Sequence, residues 1–416
     1  MNTEGSRMTR YKLVDLFCGC GGISRGFEWT GRFGTQLGVE LEPHPAKAFA
    51  SNIKNVDGEP SRVFNGDIGR LSQNSSELWK ELQSVGISRP GELDVLTGGP
   101  PCQGFSRNGV RQYQDEDRTA RFYDDPRNHL YKDFLAVVRA TRPKLVLVEN
   151  VREFLNFSQG RFSADLLSWF DELGYEVEYR KVCALDYGVP QKRHRVFFFA
   201  VRKDIADATG RGPYFPMLTH GNSGLALDGF APVRTVRDAI SDLPVAPHGK
   251  QHQVISYSNR EHISALAKQL RGRSDVVHNH VARTLSPKQV ERINAVGTGR
   301  MKHIDEDLQT ASFYGSAYRR LSWDEPALTI TTWVYHVGSG RFAHPEEDRG
   351  LTMREAARLQ TFDDEYVFPA LVNPVSQMIG NAVPPLLANA IAGSFIDILD
   401  SYYEGQESAQ IRRVVG

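Results

Sequence analysis

Cysteine is scarce in this 416-residue sequence: Cys18, Cys20, Cys102 and Cys183 are scattered and never stand in a C-x-x-C pair. That excludes a disulfide-framed fold and a thiolate zinc site, and the sequence points to no metal centre. Long apolar runs are missing too. None approaches the roughly 20 residues needed to span a bilayer, and the opening MNTEGSRMTR lacks the apolar stretch of a signal peptide. The expectation is a cytoplasmic protein with no membrane partner. Net charge is likewise absent, with 50 Lys+Arg against 50 Asp+Glu. Spread evenly, that balance would argue against a nucleic-acid partner. It is not spread evenly. Between Val201 and Pro345, 18 Lys+Arg face 13 Asp+Glu, which leaves 32 against 37 elsewhere, so a positive stretch is cancelled by a negative body. Arg outnumbers Lys 37 to 13, and Arg is the better residue for bidentate phosphate and base contacts.

What is present is enough apolar content (40%) for a real core. The first 200 or so positions alternate strand-like runs with helical patterns. Leu13–Phe17, Leu93–Thr97, Lys144–Glu149, Glu176–Val182 and Val196–Val201 are short and rich in β-branched or aromatic residues. Between them, Leu130–Thr141 and Ser163–Leu173 repeat apolar residues at three- and four-residue spacing. This alternation predicts βαβ units and an α/β fold with a mostly parallel sheet. After Val201 the pattern dissolves into Gly, Pro, Ser and His. Helical signals return at LTMREAARLQ, where Thr352 and Glu355 form a capping-box pattern, and at the amphipathic Pro385–Leu399. The tail from Ser401 reads as loose.

Four motifs carry chemistry. In Val14-Asp-Leu-Phe-Cys-Gly19-Cys-Gly21-Gly22, a strand runs into a Gly-rich turn that lets backbone approach a ligand closely. Glu40, about twenty residues on, stands where a second strand would end, suited to gripping ribose hydroxyls. Asp67-Ile68 offers another acid beside an apolar residue, and the absence of GxxxxGK[ST] favours a nucleoside over a nucleotide triphosphate. Next, Gly98-Gly-Pro-Pro-Cys102-Gln-Gly-Phe-Ser106 follows a strand, so that two prolines present Cys102 rigidly as a nucleophile. The strand Pro143–Val148 ends in Glu149-Asn150. Finally, Gln191-Lys-Arg193-His-Arg195 leads into a strand whose alternation sends Gln191, Arg193 and Arg195 to one face. His278-Asn279-His280 spells the name of a nuclease motif, but that motif's residues lie far apart in sequence, so a nuclease is set aside.

DLFCGCGGIS, GGPPCQGFS, ENV, QKRHR, LTMREAARLQ and IGNAVPP, in this order, resemble the motif set of DNA (cytosine-5)-methyltransferases of the bacterial restriction–modification type, over about residues 11–397. The resemblance implies a Rossmann-like S-adenosylmethionine-dependent methyltransferase fold. It implies a catalytic domain over 11–202 and 349–399, a small irregular target-recognition domain over 203–348 inserted before the C-terminal helices, and flexible ends at 1–10 and 400–416. The implied activity is methylation of cytosine C5 within a short sequence of double-stranded DNA. Cys102 would attack C6 of a flipped-out base, Glu149 would bind the N3 edge, and Arg195, supported by Arg193, would sit at O2.

S-adenosyl-L-methionine would lie against Phe17, Gly19, Gly21, Glu40, Asp67, Ile68 and Pro100, with Asn381 and Val383 lining the same pocket. Leu41 departs from the pattern, since many members of the family carry an aromatic residue there. Gln103 and Ser106 would border the space the base vacates. Arg319, Arg320 and Thr329 are candidate DNA contacts, with Trp323, Trp333 and His336 as further candidate readers. The resemblance also implies a monomer, with a cognate restriction endonuclease acting separately. Two other readings stand beside it: a tRNA cytosine-5 methyltransferase, and a catalytically silent DNA-binding regulator. The long variable stretch and Gly104-Phe105-Ser106 speak against the first, and the intact Cys102, Glu149 and Arg195 against the second.

Overall fold

A computed structural model describes residues 10–101, 130–156, 160–221, 229–248, 254–257, 263–310, 315–369 and 371–415. Cys102, Gln103 and Ser106 lie outside the described residues. The chain divides into two compact units, 1–182 with 194–217 and 388–416, and 183–193 with 218–387.

The first unit is built on a seven-stranded sheet. Its strands are β1 (Tyr11–Leu16), β2 (Phe33–Glu40), β3 (Arg62–Asn65), β4 (Val95–Gly98), β5 (Leu145–Asn150), β6 (Tyr175–Cys183) and, after the two-residue β7 (Gln191–Lys192) of the other unit, β8 (His194–Arg202). They lie in the order β3-β2-β1-β4-β5-β8-β6. Pairing is parallel from β3 through β5, and β8 runs antiparallel to β5. Strands β1, β4, β5 and β8 are nearly continuous runs of buried Val, Leu and Phe, the pattern of a sheet covered on both faces. The covering helices include α1 (Gly22–Glu28), α2 (Pro43–Asn52), Leu130–Thr141 and Arg161–Glu172. The predicted α/β fold and its strands are there, with ends moved by one or two residues.

The C-terminal helix runs from Pro385 to Val415, well past the Leu399 at which the sequence pattern stops. The tail expected to be loose is helical, because Asp400 pairs with Arg32 and Tyr11 while the Tyr403 hydroxyl donates to Asp94 at 2.6 Å. Within Val372–Ile411 an 18-residue window has a mean hydropathy of 1.5, enough by length and composition alone for a membrane span. Leu387, Ile391, Phe395, Ile398 and Leu399 are nonetheless buried in the fold, while Ile411 is 64% exposed. Phe395 is fully buried, stacked on Phe199 (centroids 4.0 Å apart) and edge-on to Phe27. This is a core helix.

The second unit has strands of only two residues each among its described parts, and short helices such as Val236–Ile240, Pro287–Val296, Met353–Leu359 and Val372–Asn381. The capping box at Thr352 and Glu355 forms as predicted. What replaces a sheet is buried arginine. Arg354 donates to the carbonyls of His278, Asp363 and Tyr366, and Arg358 to both oxygens of Asp364, to Asp242 and to the Ala239 carbonyl. Guanidinium groups thus satisfy the backbone that irregular segments leave unpaired. These bonds explain why residues 349–387 group with 218–348, whereas the sequence expectation assigned 349–399 to the catalytic domain and began the inserted one at 203.

Candidate active site

The register of the first unit assembles a site at the carboxyl edge of its parallel strands, where open α/β sheets bind ligands. Leu16 pairs with Val39, so the turn after β1 falls beside Glu40. Phe17, Gly19 and Gly21 all adopt positive φ (53°, 54° and 84°). A Cβ on Gly21 would be strained and would meet Phe49 and Ile53 at 2.9 Å, so only glycine fits. Cys18 N–H donates to the Val39 carbonyl, and Gly19 N–H donates to Glu40 Oε2 at 2.9 Å. Glu40 Oε1 accepts the Glu42 N–H at 2.8 Å. Burial is the largest influence on Glu40 and raises its pKa against those hydrogen bonds. Its carboxylate still has lone pairs for ribose hydroxyls. This turn and acid fit a nucleoside-bearing cofactor: the cradle is one that a side chain would fill.

Asp67 accepts the Gly69 N–H at 2.8 Å, closing the turn after β3. Ile68 is buried in the core of the unit, and Leu41 is 61% exposed. Beneath the turn lies a carboxylate that sequence reasoning passed over. Asp15 accepts Ser24 Oγ at 2.7 Å and Thr97 Oγ1 at 2.8 Å, tying α1 to β4. Burial pushes its pKa up to about 6. The signal was available: Asp15 is the one acid in a mostly apolar strand.

The reactive end follows from two further pairings. Gly98 pairs with Val148, so Gly99 passes beside Glu149, and a Cβ there would stand 3.0 Å from Glu149 Oε2. Asn150 pairs with Val196, which brings Arg195 to Glu149, Nε to Oε1 at 2.8 Å, with both side chains largely covered. Asn150 Nδ2 donates to the carbonyl of buried Pro100 at 3.3 Å, fixing the entry to the segment that carries Cys102. A carboxylate and a guanidinium held this way present an acceptor and a donor side by side, suited to the amide-like edge of a pyrimidine.

The expected common face of Gln191, Arg193 and Arg195 does not form. The strand breaks at Arg193, between β7 and β8. Gln191 Nε2 donates to the Leu359 carbonyl, and Gln191 Oε1 accepts the Ile330 N–H. Arg193 is fully buried and donates to the carbonyls of Ile330, Gly380 and Asn381, so it staples segments of the second unit together. Asn381 and Val383 belong to that unit, at and just after the end of Val372–Asn381.

Of the candidate DNA contacts, Arg320 has a folding role, donating to the His344 and Glu347 carbonyls and pairing with Asp348. Arg319 Nε donates to the Thr298 carbonyl at 2.7 Å. Thr329 Oγ1 donates to the Lys192 carbonyl at 2.8 Å. Trp323 Nε1 donates to Glu346, its ring beside His344 and Arg237. His278-Asn279-His280 is structural: Asn279 is bonded to the backbone of Phe368 at both side-chain ends, and the His280 ring lies between Thr352 Oγ1 and the Pro244 carbonyl.

A profile of the C-5 cytosine-specific DNA methylases matches residues 11–397. The type II methyltransferase M1.HphI of Haemophilus parahaemolyticus is 34% identical over 380 residues, which span 91% of this chain and 85% of that protein. M.AgeI of Thalassovita gelatinovora, also a type II methyltransferase, is 31% identical over 449 residues, spanning 92% and 98%. Among solved structures, an Escherichia coli prophage protein described as a DNA modification methyltransferase superposes with a TM-score of 0.70 at 24% identity, covering 94% of this chain and 99% of that one.

Proposed function

The chain belongs to the C-5 cytosine-specific DNA methylase family, and we propose how its own residues carry out that chemistry. It is a DNA (cytosine-5-)-methyltransferase that uses S-adenosylmethionine and flips its target base. The cofactor, when bound, supplies the electrophilic methyl group. Gly19, Gly21 and Phe17 shape its cradle, Glu40 takes the ribose hydroxyls, and Asp67, Ile68 and Pro100 complete the wall.

Cys102, as thiolate, bonds to cytosine C6, and the electron pair displaced from the C5–C6 bond makes C5 nucleophilic. Glu149 accepts from the exocyclic amine and, protonated, donates to N3, while Arg195 donates to O2, so that both offset the negative charge spreading over the ring. After transfer, C5 gives its proton to water, and elimination of Cys102 restores the ring. The Glu149–Arg195 pair carries this reading, because strand pairing holds an acceptor and a donor side by side, as one pyrimidine edge would need.

Sequence choice resides in residues 203–348, the proposed recognition domain, with Arg319 and Thr329 near the phosphates and Gln103 and Ser106 beside the vacated stack. We propose a monomeric bacterial enzyme acting on cytoplasmic, nucleoid DNA, and the type II names of its relatives suit a cognate endonuclease working separately. Duplex DNA carrying 5-fluorocytosine is expected to trap a denaturation-stable adduct that Cys102→Ser abolishes and Glu149→Gln strongly reduces. No adduct with the wild-type protein, or methyl transfer to tRNA in preference to duplex DNA, overturns the proposal.

A further inference from the structure

Two tryptophans of the second unit have opposite surroundings. Trp323 is held on several sides, as described above. Trp333 is 55% exposed, and its indole N–H has no partner among the described residues. Its one aromatic neighbour among the described residues is Tyr335, stacked with it at 28° with centroids 5.8 Å apart. Arg283 lies over the Tyr335 ring at 5.7 Å and pairs with no carboxylate among the described residues. An exposed indole costs solvation free energy, and soluble surfaces seldom carry one without a use.

The backbone under Trp333 is rigid. Val334 N–H donates to the Thr331 carbonyl, His336 N–H to the Trp333 carbonyl, and Ser339 Oγ to the carbonyls of both Trp333 and His336. Ser376 Oγ donates to the Thr332 carbonyl at 2.7 Å. At Gly380 the helix Val372–Asn381 approaches so closely that a Cβ would sit 2.3 Å from Thr332 N. The flanking Ile330 and Val334 are fully buried anchors. The indole is therefore presented on a fixed turn, and binding through it orders little that is not already ordered.

We propose that Trp333, backed by Tyr335 and flanked by the unpaired cation of Arg283, is a stacking platform that packs on a base or sugar of the DNA substrate. An aromatic face beside a free guanidinium is the pairing that nucleic acid recognises, π-face to base and cation to phosphate. Base flipping supplies what an intact duplex withholds, an unstacked base face. This inference rests on the enzyme's acting on duplex DNA.

The test uses the full-length protein, with a short duplex carrying the site that bisulfite sequencing maps. Trp333→Ala is expected to weaken duplex binding about tenfold or more, with Trp333→Phe recovering most of it. S-adenosylmethionine affinity and thermal unfolding should stay at wild-type values. Arg283→Gln is expected to weaken binding less and to flatten its salt dependence. The platform is overturned if Trp333→Ala binds duplex within twofold of wild type, or if Trp333→Phe fails to rescue. It is also overturned if sedimentation shows that the variants change self-association instead. A wild-type protein that binds and methylates no duplex DNA fails the proposed function itself, a distinguishable outcome.

Discussion

The two units keep irregular and regular backbone in order by different means. In the first, strands pair their own N–H and C=O groups, and the interior is left to Val, Leu and Phe, with residues such as Leu96, Val146 and Phe198 fully buried. In the second, the longest described strand has two residues, and Arg193, Arg349, Arg354 and Arg358 sit buried on carbonyls and carboxylates. Hydrophobic burial is non-directional and tolerant, whereas a buried guanidinium works only if its partners are all in place. The first unit should therefore fail gradually when trimmed, and the second abruptly when one partner is removed.

The largest effect is expected from Arg358→Ala. The change leaves Asp242 without its cation and Asp364 with only the more distant Arg354, at 3.7 Å, both carboxylates being nearly inaccessible. Removing one partner of a buried pair leaves an uncompensated charge, and a loss of about 5 kcal/mol follows. Hydrogen exchange should show the amides of Met353–Leu359 losing protection while those of Val95–Gly98 keep theirs. Equal loss in both would erase the contrast between the units.

Phe395→Ala is the matching change in the first unit. It opens a cavity between Phe199 and Phe27 and is expected to cost about 4 kcal/mol. Refilling with Phe395→Leu should recover much of that, since volume rather than direction is what the site needs. Chemical denaturation of the two variants measures it, and an unrecovered loss would mean that ring geometry matters there.

These differences decide what could be read in advance. The sheet was legible because strand-like runs recur in LVDLF, LDVLT and KLVLVE, and the proposed site residues stood out because they lie next to strand ends. The common face of Gln191, Arg193 and Arg195 did not form, since alternation assumes a continuous strand and Arg193, between β7 and β8, is bonded to Ile330 and Gly380, more than a hundred positions away. The compact units divide the chain differently from the expected domains for a related reason: Arg354 and Arg358 look like the solvated face of a helix until their distant carbonyls and carboxylates are known. The helical tail beyond Ser401 depended on Arg32, Tyr11 and Asp94, again remote in sequence.

Acid should separate the units. Glu355 is buried against Arg349 with two hydrogen bonds of 2.8 Å, and that partner holds its pKa down to about 2 against the desolvation that opposes it. A depressed carboxylate stabilises the fold above its ordinary pKa of 4.5 and stops doing so as pH falls toward 2. The wild type should therefore lose about 3 kcal/mol relative to Glu355→Gln over that interval. Denaturation of both proteins across the acid range measures it, and parallel curves would place the stabilising interaction elsewhere.

Asp15 should show the opposite slope, smaller in size, in the first unit. There burial outweighs the Ser24 and Thr97 hydroxyls, and the pKa stands at about 6 rather than 3.8. Between those values the folded chain keeps a proton that the unfolded chain has lost. Stability from this residue is therefore complete below about pH 4 and declines as pH rises through about 6. Relative to Asp15→Asn, which does not titrate, the wild type should lose on the order of 2 kcal/mol across that window and nothing further above it. A flat difference would mean that the two hydroxyls fully compensate burial. A falling one would show that the cofactor turn and β4 are joined through a carboxylate that the fold bears at a cost, in the unit that otherwise relies on apolar contact.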